Sequence, residues 1–384
     1  MKVAIICDVL GVPNNGTSIA TLNLISYLKK AGHDIKVVSS DFEHSGVAPE
    51  NQVQLPSLDL GVFANRIIAN NGVSLAKADN SILKDVIVWA DVVHIQLPLI
   101  IGRVAVRIAR QENKPITASF HCQAENVLSH VHLEHNMWIS KQVYKNFYSS
   151  LFQYCDCIHY PTDFIRFLFE RSVGHKTCSY VISNGVNSLY VNRHLPRTNE
   201  KFTIVSTGRF CAEKAQHILI KAASISKYRD SIKLRFAGEG PLLEKYIYLA
   251  NKLKVDADFN FYSRNSLVDV LNTANLYVHT AFIEIEAISC IEAICCGLVP
   301  VIARAKRSAT KVFALDKNNL FKENDADDLA KRIDFWYENP AIREEYVKRY
   351  EVMAHQFEQE ECMRRMESML QDAIALKKTV SGTK

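Results

Sequence analysis

Two glutamates that lie eight residues apart, Glu284 and Glu292, interrupt an otherwise apolar stretch, and a third, Glu286, lies between them. An unpaired carboxylate is costly to bury, so one face of this stretch is expected to be in water or to bind a ligand. If every step between Glu284 and Glu292 were helical, the rise would be about 12 Å. That span could bracket a diphosphate with a sugar at one end and a ribose at the other, since carboxylates accept hydrogen bonds from hydroxyl pairs. The pattern therefore favours a nucleotide-sugar site over a core helix.

Two basic residues, Arg209 and Lys214, lie around the start of a predicted helix that follows the strand-like run KFTIVSTGRF at 201–210. Two cations beside a helix N-terminus are well suited to bind a diphosphate. The alternative interpretation is that both are ordinary solvated charges.

Two glycine turns are weaker signals. Gly16 and Thr17 begin a predicted helix after the first strand and would let a substrate approach backbone N–H groups. A plain helix cap at Thr17 or Ser18 explains them equally well. Gly238, in the turn GEGP, indicates by itself only a turn. The first loop lacks the GxGxxG fingerprint, which argues against a conventional NAD site.

The elements that must position these residues alternate between short β-type runs, such as residues 260–264, and helical patterns. This alternation predicts an α/β fold with parallel, helix-covered sheets, and 384 residues suggest two domains. The pattern restarts after a polar stretch at 191–201, so we predict an N-terminal domain at 1–195 and a C-terminal domain at 196–356. The final helix, about 357–384, is assigned to the first domain. Ligands of such sheets bind beyond the carboxyl ends of strands.

The composition excludes several classes of protein. A formal charge of +5 is too small to indicate a nucleic-acid partner. The ten cysteines contain no CxxC pair and lie mostly in apolar runs, as at Cys7 and Cys290, which indicates a reducing compartment. The pair Cys155 and Cys157 is attributed to packing. The N-terminus does not fit a signal peptide, and no segment reaches the roughly 20 apolar residues of a membrane span. We therefore expect a cytoplasmic protein whose membrane contact, where it has one, is peripheral and at the inner face.

The order of the motifs resembles that in glycosyltransferase family 4, whose members have the GT-B fold. GRF with a following Glu-Lys, then GEGP, then E-x7-E and G-x-PVIA resemble the C-terminal domain of that family. The run GHDIKVV, the run ITASFH and the SNGV at 183–186 extend the resemblance over the N-terminal half. It implies two Rossmann-like domains facing across a cleft, and a retaining transferase that uses a nucleotide-diphospho-sugar.

The resemblance also implies roles by position. Arg209 and Lys214 would bind the diphosphate, Glu284 the hydroxyls of the transferred sugar, and Glu292 the ribose. His121 would lie near the reacting sugar, and the region around 261–264 would border the nucleobase. The predicted catalytic residues are thus His121 and Glu284, and the predicted donor-binding residues are Gly16, Thr17, Arg209, Lys214, Gly238, Tyr262, Ser263, Arg264, Glu286, Ala287, Ile288 and Glu292.

The chain departs from the family pattern in one place. Gly-Phe-Gly usually follows the first glutamate, whereas here Ile285, Glu286 and Ala287 follow Glu284. Backbone N–H groups can still serve without glycine, but the Glu286 carboxylate must turn away from the phosphates, which would repel it.

The resemblance implies transfer of a hexose, glucose or galactose by preference, from a UDP-sugar to a hydroxyl acceptor with retention. A membrane lipid such as diacylglycerol or ceramide is favoured, because basic and apolar residues mix at 62–68, 102–110 and 145–152. Amphipathic core helices explain each stretch as well. The alternatives are a transferase of polysaccharide or cell-envelope glycan assembly, a sugar-nucleotide epimerase of the same fold, and a non-catalytic partner subunit.

No metal and no cofactor are expected beyond the UDP-sugar substrate. The histidine-rich run HVHLEH at 130–135 lacks a matching zinc spacing elsewhere. The acidic DAD at 256–258 precedes a predicted strand, which favours a polar loop over a metal site.

Overall fold

The computed structural model describes residues 1–11, 16–43, 45–59, 61, 75–129, 133, 136–197 and 200–382. They form two compact units. Unit 1 contains Met1–Gly185 and Gln359–Lys384, and unit 2 contains Val186–Glu358.

Unit 1 is built on a seven-stranded sheet in which every neighbouring pair is parallel, with strand order β3-β2-β1-β4-β5-β6-β7. The central strands are buried along nearly their whole length, as expected where both faces of a parallel sheet are covered. The strands are β1 (Lys2–Ile6), β2 (Asp34–Ser39), β3 (Gln52–Gln54), β4 (Val92–Ile95), β5 (Ile116–Ser119), β6 (Cys157–Tyr160) and β7 (Ser179–Val181). The described helices are α1 (Gly16–Lys30), α2 (Asn80–Trp89), α3 (Ile100–Gln111), α4 (Ala124–Ser129), α5 (Met137–Ser150) and α6 (Asp163–Val173).

The last helix of the chain (Gln359–Gly382) is part of unit 1. Its apolar side chains recur at the spacing of one helical face and are buried with those of α1 and the sheet. Polar contacts fix it further, because Glu367 accepts a hydrogen bond from the His33 ring (2.8 Å) and Asp372 accepts one from the Tyr180 hydroxyl (2.8 Å).

Unit 2 contains a six-stranded parallel sheet of order β10-β9-β8-β11-β13-β15 and a short pair, β12 with β14. Its strands are β8 (Phe202–Thr207), β9 (Ile232–Ala237), β10 (Ala257–Asn260), β11 (Leu276–His279), β12 (Ile283–Glu284), β13 (Pro300–Arg304), β14 (Arg307–Ser308) and β15 (Leu320–Lys322). Its helices are α7 (His217–Ile225), α8 (Leu243–Leu253), α9 (Arg264–Thr273), α10 (Ile288–Cys295), α11 (Ala326–Glu338) and α12 (Pro340–Ala354), which makes the last helix α13. The predicted alternation of strands and helices in two α/β domains is confirmed.

Two details differ from the sequence-based prediction. Unit 2 begins at Val186, before the predicted 196, because the Val186 N–H donates to the Phe357 carbonyl (2.8 Å) and Tyr190 is buried in the unit 2 core. Residues 261–264 do not continue a strand, because the Ser263 hydroxyl caps α9 by accepting a hydrogen bond from the backbone N–H of Ser266.

Candidate functional site

The centre of the candidate site in unit 2 is the carboxylate of Glu284, at the end of β12. Its Oε1 atom forms an ion pair with the Lys214 ammonium and accepts a hydrogen bond from His279 Nε2 at 3.1 Å. The Glu284 side chain is 12% exposed and that of Lys214 22% exposed. The structure thus brings together two of the predicted residues, which are 70 positions apart in the chain.

The electrostatics of this pair favour both charges. Burial by itself raises the pKa of Glu284, but the positive charge of Lys214 and the hydrogen bond from His279 outweigh it and lower that pKa to about 2. Burial likewise disfavours the Lys214 ammonium, yet the Glu284 carboxylate leaves the Lys214 pKa raised above its usual value. A charged, partly accessible carboxylate can accept hydrogen bonds from sugar hydroxyls, and the adjacent ammonium can bind a phosphate oxygen.

A buried network of hydrogen bonds, which the sequence analysis missed, runs from Glu284 through His279 and Tyr277 to Thr207. His279 ends β11, and its Nδ1 lies 3.3 Å from the Tyr277 hydroxyl, which in turn lies 2.9 Å from Thr207 Oγ1. Because a carboxylate only accepts hydrogen bonds, the His279 proton is on Nε2 and the ring is held in one tautomer. The sequence signal was a histidine at the end of the strand run LYVHT, five residues before Glu284.

The turn after β8 places Arg209 at an exposed position, beside the segment that carries Lys214. Its backbone carbonyl accepts a hydrogen bond from the buried Gln216 amide at 3.0 Å, which fixes the turn. A Cβ atom on Gly238 would lie only 2.1 Å from the carbonyl oxygen of Gly208. Gly238, predicted to bind the donor, therefore lets the turns after β8 and β9 pack against each other. No further role follows from its contacts.

The second glutamate, Glu292 on α10, is partly buried and forms a hydrogen bond with the Tyr190 hydroxyl. Burial raises the pKa of Glu292 to about 7, although the bond from Tyr190 and the charge of Arg264 act in the opposite direction. Arg264 is the exposed first residue of α9, preceded by Tyr262 and Ser263. Tyr190 was not predicted, because it lies about 100 residues from its partner in the run NSLY, which shows no pattern of its own.

The turn between the two glutamates retains a glycine-like backbone. Ala287, which directly precedes α10, has φ 66° and ψ 62°, the left-handed conformation that glycine adopts at least cost. Ile288 then begins the helix, and Glu286 is buried with 4% exposure. The departure from Gly-Phe-Gly therefore changes the side chains while the alanine accepts the strained backbone.

The remaining predicted residues, His121, Gly16 and Thr17, belong to unit 1. His121 follows β5, and its ring packs edge-on against that of His159 with 5.7 Å between centroids. Burial and the neighbouring histidines hold the pKa of His121 well below its usual value. Gly16 is exposed at the start of α1, and the nearby Ser18 hydroxyl donates to the Val9 carbonyl, so that hydroxyl does not cap the helix.

The structure describes part of the two motifs that could have suggested a metal site, the DAD run at 256–258 and the histidine-rich run at 130–135. Asp256 and Asp258 of the DAD run each contact a lysine at 2.9 Å, Lys201 and Lys233 respectively. Of the histidine-rich run at 130–135, all but Leu133 lies outside the described residues. Within the described ranges, no group of three or more His, Cys, Asp or Glu side chains is arranged to hold a metal ion. No described helix is long and apolar enough to cross a membrane.

Two family models together match most of the chain. The model described as "Glycosyltransferase Family 4" matches residues 14–188, and the model described as "Glycosyl transferases group 1" matches residues 192–353.

Individual proteins and solved structures are also similar to this chain. The alpha-monoglucosyldiacylglycerol synthase of Streptococcus pneumoniae is 22% identical over 79% of this chain and 71% of that protein. The structure of HepE from Anabaena in complex with UDP-glucose superposes with a TM-score of 0.74 at 16% identity, covering 97% of this chain and all of that one. The catalytic domain of cholesterol-alpha-glucosyltransferase from Helicobacter pylori is 47% identical, covers 41% of this chain and 98% of that domain, and has a TM-score of 0.40.

Proposed function

Since the chain belongs to the glycosyltransferases of family 4 type with the GT-B fold, we propose that it transfers glucose from UDP-glucose to the hydroxyl group of a membrane lipid, with retention at the anomeric carbon. The observation that carries the proposal is the cluster of Lys214, Glu284 and His279, which presents a carboxylate and a cation side by side. The similarity to a glucosyldiacylglycerol synthase supports glucose and a lipid over the other sugars and acceptors of this class.

In the proposed reaction, unit 2 residues hold the donor and stabilise its leaving group. Glu284 accepts hydrogen bonds from hydroxyls of the transferred glucose, and its position is fixed by His279. When the sugar–phosphate bond breaks, negative charge grows on the diphosphate, and Lys214 and Arg209 are the cations that stabilise it. Glu292 binds the ribose hydroxyls at the other end of the donor.

The experiment that tests this proposal is a screen of sugar nucleotides against hydroxyl-bearing lipids (diacylglycerol, ceramide and a sterol) and against glycan acceptors, with products identified by mass spectrometry and NMR. Transfer of glucose to a lipid with an α linkage is expected. Transfer to glycans alone would contradict the lipid acceptor, and release of a free epimerised sugar nucleotide would favour an epimerase. A folded protein that binds no sugar nucleotide would be a non-catalytic subunit.

The structure changes the grounds for a lipid acceptor. The stretch 102–110 lies in α3, whose apolar face is buried in unit 1, and the stretch 145–152 likewise buries its large side chains. Both are therefore amphipathic core segments. The third stretch, 62–68, lies outside the described residues. A different feature replaces them: Met137 and Trp138 at the start of α5 are 86% and 70% exposed.

Vesicle binding is the expected consequence of that exposed start of α5. Trp138, Lys141 and Lys145 recur at i, i+3 and i+7, so an aromatic side chain and two exposed cations share one helical face, as in helices that bind lipid interfaces. We expect the protein to co-sediment with anionic vesicles more strongly at low than at high salt, and Trp138→Ser to weaken binding by about tenfold or more. The control for loss of an exposed aromatic side chain is Tyr248→Ser in unit 2, where Tyr248 is 68% exposed. Trp89 is less suitable because its ring contacts Lys36. Equal binding by the Trp138 and Tyr248 variants would contradict this surface.

Donor affinity is expected to depend on pH through Glu292. Its pKa is raised to about 7, and the ionised carboxylate is the better acceptor for ribose hydroxyls, so donor binding favours loss of its proton. Affinity for UDP-glucose should rise as pH increases from 6 to 8, with proton release on binding. Glu292→Gln should abolish this dependence and weaken binding by roughly 1.5–3 kcal/mol at pH 8.

Calorimetry in buffers of different ionisation enthalpy measures both the affinity and the proton release. UDP-glucose is the appropriate probe, because the terminal phosphate of UDP itself titrates near pH 6, roughly as other phosphomonoesters do. The stability of the ligand-free protein should change with pH in the opposite direction to donor affinity. Because the carboxyl pKa of Glu292 is raised in the folded protein, it contributes stability that is fully present below pH 4.5, near its ordinary pKa, and is lost as pH rises through about 7. A pH dependence that persists in Glu292→Gln would show that another group is responsible.

A further inference from the structure

A narrow pocket in unit 1 lies beyond the carboxyl ends of β4, β5 and β6, and its volume of about 10 Å3 has room for roughly one water-sized group, such as a single hydroxyl. One wall is apolar and is formed by Leu24 of α1 with Met363 and Met366 of α13. The lining also includes polar side chains, among them Gln96, Ser119 and His121. The carboxyl edge of a parallel sheet is where ligands of such folds bind.

Gln96 is the polar group on this wall that lacks partners. It follows β4 directly, its backbone N–H donates to the Ile6 carbonyl at 2.9 Å, and its side chain is 1% exposed. Neither Oε1 nor Nε2 of its amide has a hydrogen-bond partner among the described residues. A buried amide in this state costs free energy, and a ligand that satisfies it recovers that cost.

The neighbouring polar side chains already satisfy one another. The Ser119 hydroxyl lies 3.0 Å from His94 Nε2 and 2.9 Å from His159 Nδ1, and His159 Nε2 lies 2.7 Å from the Ile182 carbonyl oxygen. These hydrogen bonds hold the Ser119 and His159 side chains, which line the pocket together with Gln96, in fixed positions. Among the described residues that line the pocket, the fully buried polar side-chain atoms without a hydrogen-bond partner are those of the Gln96 amide.

The chemistry of an amide selects the ligand. It offers one accepting oxygen and donating N–H groups, so a group that both donates and accepts satisfies it. A hydroxyl does both, whereas a phosphate or carboxylate only accepts and an ammonium only donates. The pocket is lined by no Asp, Glu, Lys or Arg side chain of the described residues, and its apolar lining residues are hydrocarbon and thioether. These features together fit a neutral alcohol whose hydroxyl is attached to an apolar body.

We propose that Gln96 binds the acceptor hydroxyl and, with the Leu24, Met363 and Met366 wall, selects a lipid alcohol over a glycan. The proposal rests on the proposed function. His121, predicted to lie near the reacting sugar, lines the same pocket, which places the bound hydroxyl beside that predicted residue. Gln96 is thus a specificity-determining residue for the acceptor and takes no part in binding the donor.

Gln96→Leu tests this inference, because leucine fills a similar volume without the amide. The melting temperature of the ligand-free variant should be higher than that of the wild type, since a buried group without partners has been removed. The KM for 1,2-dioctanoylglycerol should rise about tenfold or more, as expected for a lost hydrogen bond to a substrate hydroxyl. Affinity for UDP-glucose should be unchanged, because Gln96 takes no part in binding the donor. Gln111→Leu, at an exposed position on α3, is the matched control and should change none of these quantities.

A second measurement separates this inference from the proposed function. Dioctanoylglycerol should raise the melting temperature of the wild type and of Gln111→Leu, but not that of Gln96→Leu. If the wild type transfers glucose to lipid while Gln96→Leu retains its KM and its thermal response, the inference is wrong and the proposed function stands. If no transfer occurs but the lipid stabilises only proteins that keep Gln96, the proposed function is wrong, and Gln96 binds a lipid hydroxyl that is not a transfer acceptor. A lower melting temperature for Gln96→Leu would also overturn the inference, because it would show that an internal water satisfies the amide.

Discussion

Glu284→Gln is expected to lower turnover by about a hundredfold or more while leaving the affinity for UDP within about threefold of the wild type. The proposed partner of Glu284 is the transferred sugar, so its charge matters most as the sugar–phosphate bond breaks. UDP contains no transferred sugar. The substitution also removes the carboxylate that is paired with Lys214, so the Lys214 ammonium remains available to the diphosphate of UDP.

The measurement combines single-turnover kinetics with calorimetry of UDP binding. Glutamine keeps the size of the side chain, and its amide oxygen can still accept the bond from His279. Glu338→Gln is the matched control. It also removes a carboxylate from an ion pair, here with Lys227, but at an exposed position at the end of α11. If UDP affinity and turnover fall equally, Glu284 binds the nucleotide, and its assignment to the sugar is wrong.

Stability must be compared in the same experiment, because the Lys214–Glu284 pair also stabilises unit 2. The pKa of Glu284 is lowered to about 2, so its ionisation contributes stability that is fully present above about pH 4.5 and is lost as pH falls towards 2. A shift of this size corresponds to at most about 3 kcal/mol at neutral pH. Activities should therefore be compared well below the melting temperature of the less stable variant.

The sequence predicted those parts of the site that have a local pattern. Glu284 and Glu292 are recognisable because carboxylates stand out in an apolar run, and Lys214 because it follows a glycine turn at a strand end. The alternation of strands and helices likewise predicted the parallel sheets. Each of these signals comes from residue types within a few positions of one another.

The parts that could not be predicted depend on contacts between distant segments. Tyr190 lies in the unit 2 core and reaches Glu292 only once that unit has folded. The unsatisfied amide of Gln96 is visible only when the residues around it are known, since glutamine in the run VVHIQ has no distinctive pattern. The packing role of Gly238 was likewise not predictable, because the approach of the Gly208 backbone is visible only in the folded structure.

Transfer is expected to need no divalent metal, because the chain's own cations can stabilise the leaving diphosphate. Metal-dependent sites require hard oxygen ligands at the phosphates. The acidic residues that could be suspected of this role, Asp256 and Asp258, each contact a lysine. Arg209 and Lys214 instead supply two positive charges on one segment, and the start of α10 can add backbone N–H groups.

This proposal makes Arg209 and Lys214 essential and EDTA harmless. Arg209→Ala should lower turnover by about a hundredfold or more, the scale of losing one strong electrostatic donor. Lys214→Ala should do the same but also leaves Glu284 buried without its cation, which is strongly destabilising, so the double variant Lys214→Met with Glu284→Gln provides a folded comparison. Lys221→Ala, at an exposed position on α7, is the control for loss of a cation and should retain full activity. Steady-state assays with EDTA, and then with magnesium or manganese restored, decide the question. If EDTA abolishes transfer, a metal restores it and Arg209→Ala remains active, then the leaving group is stabilised by a metal and the role given to these two side chains is wrong.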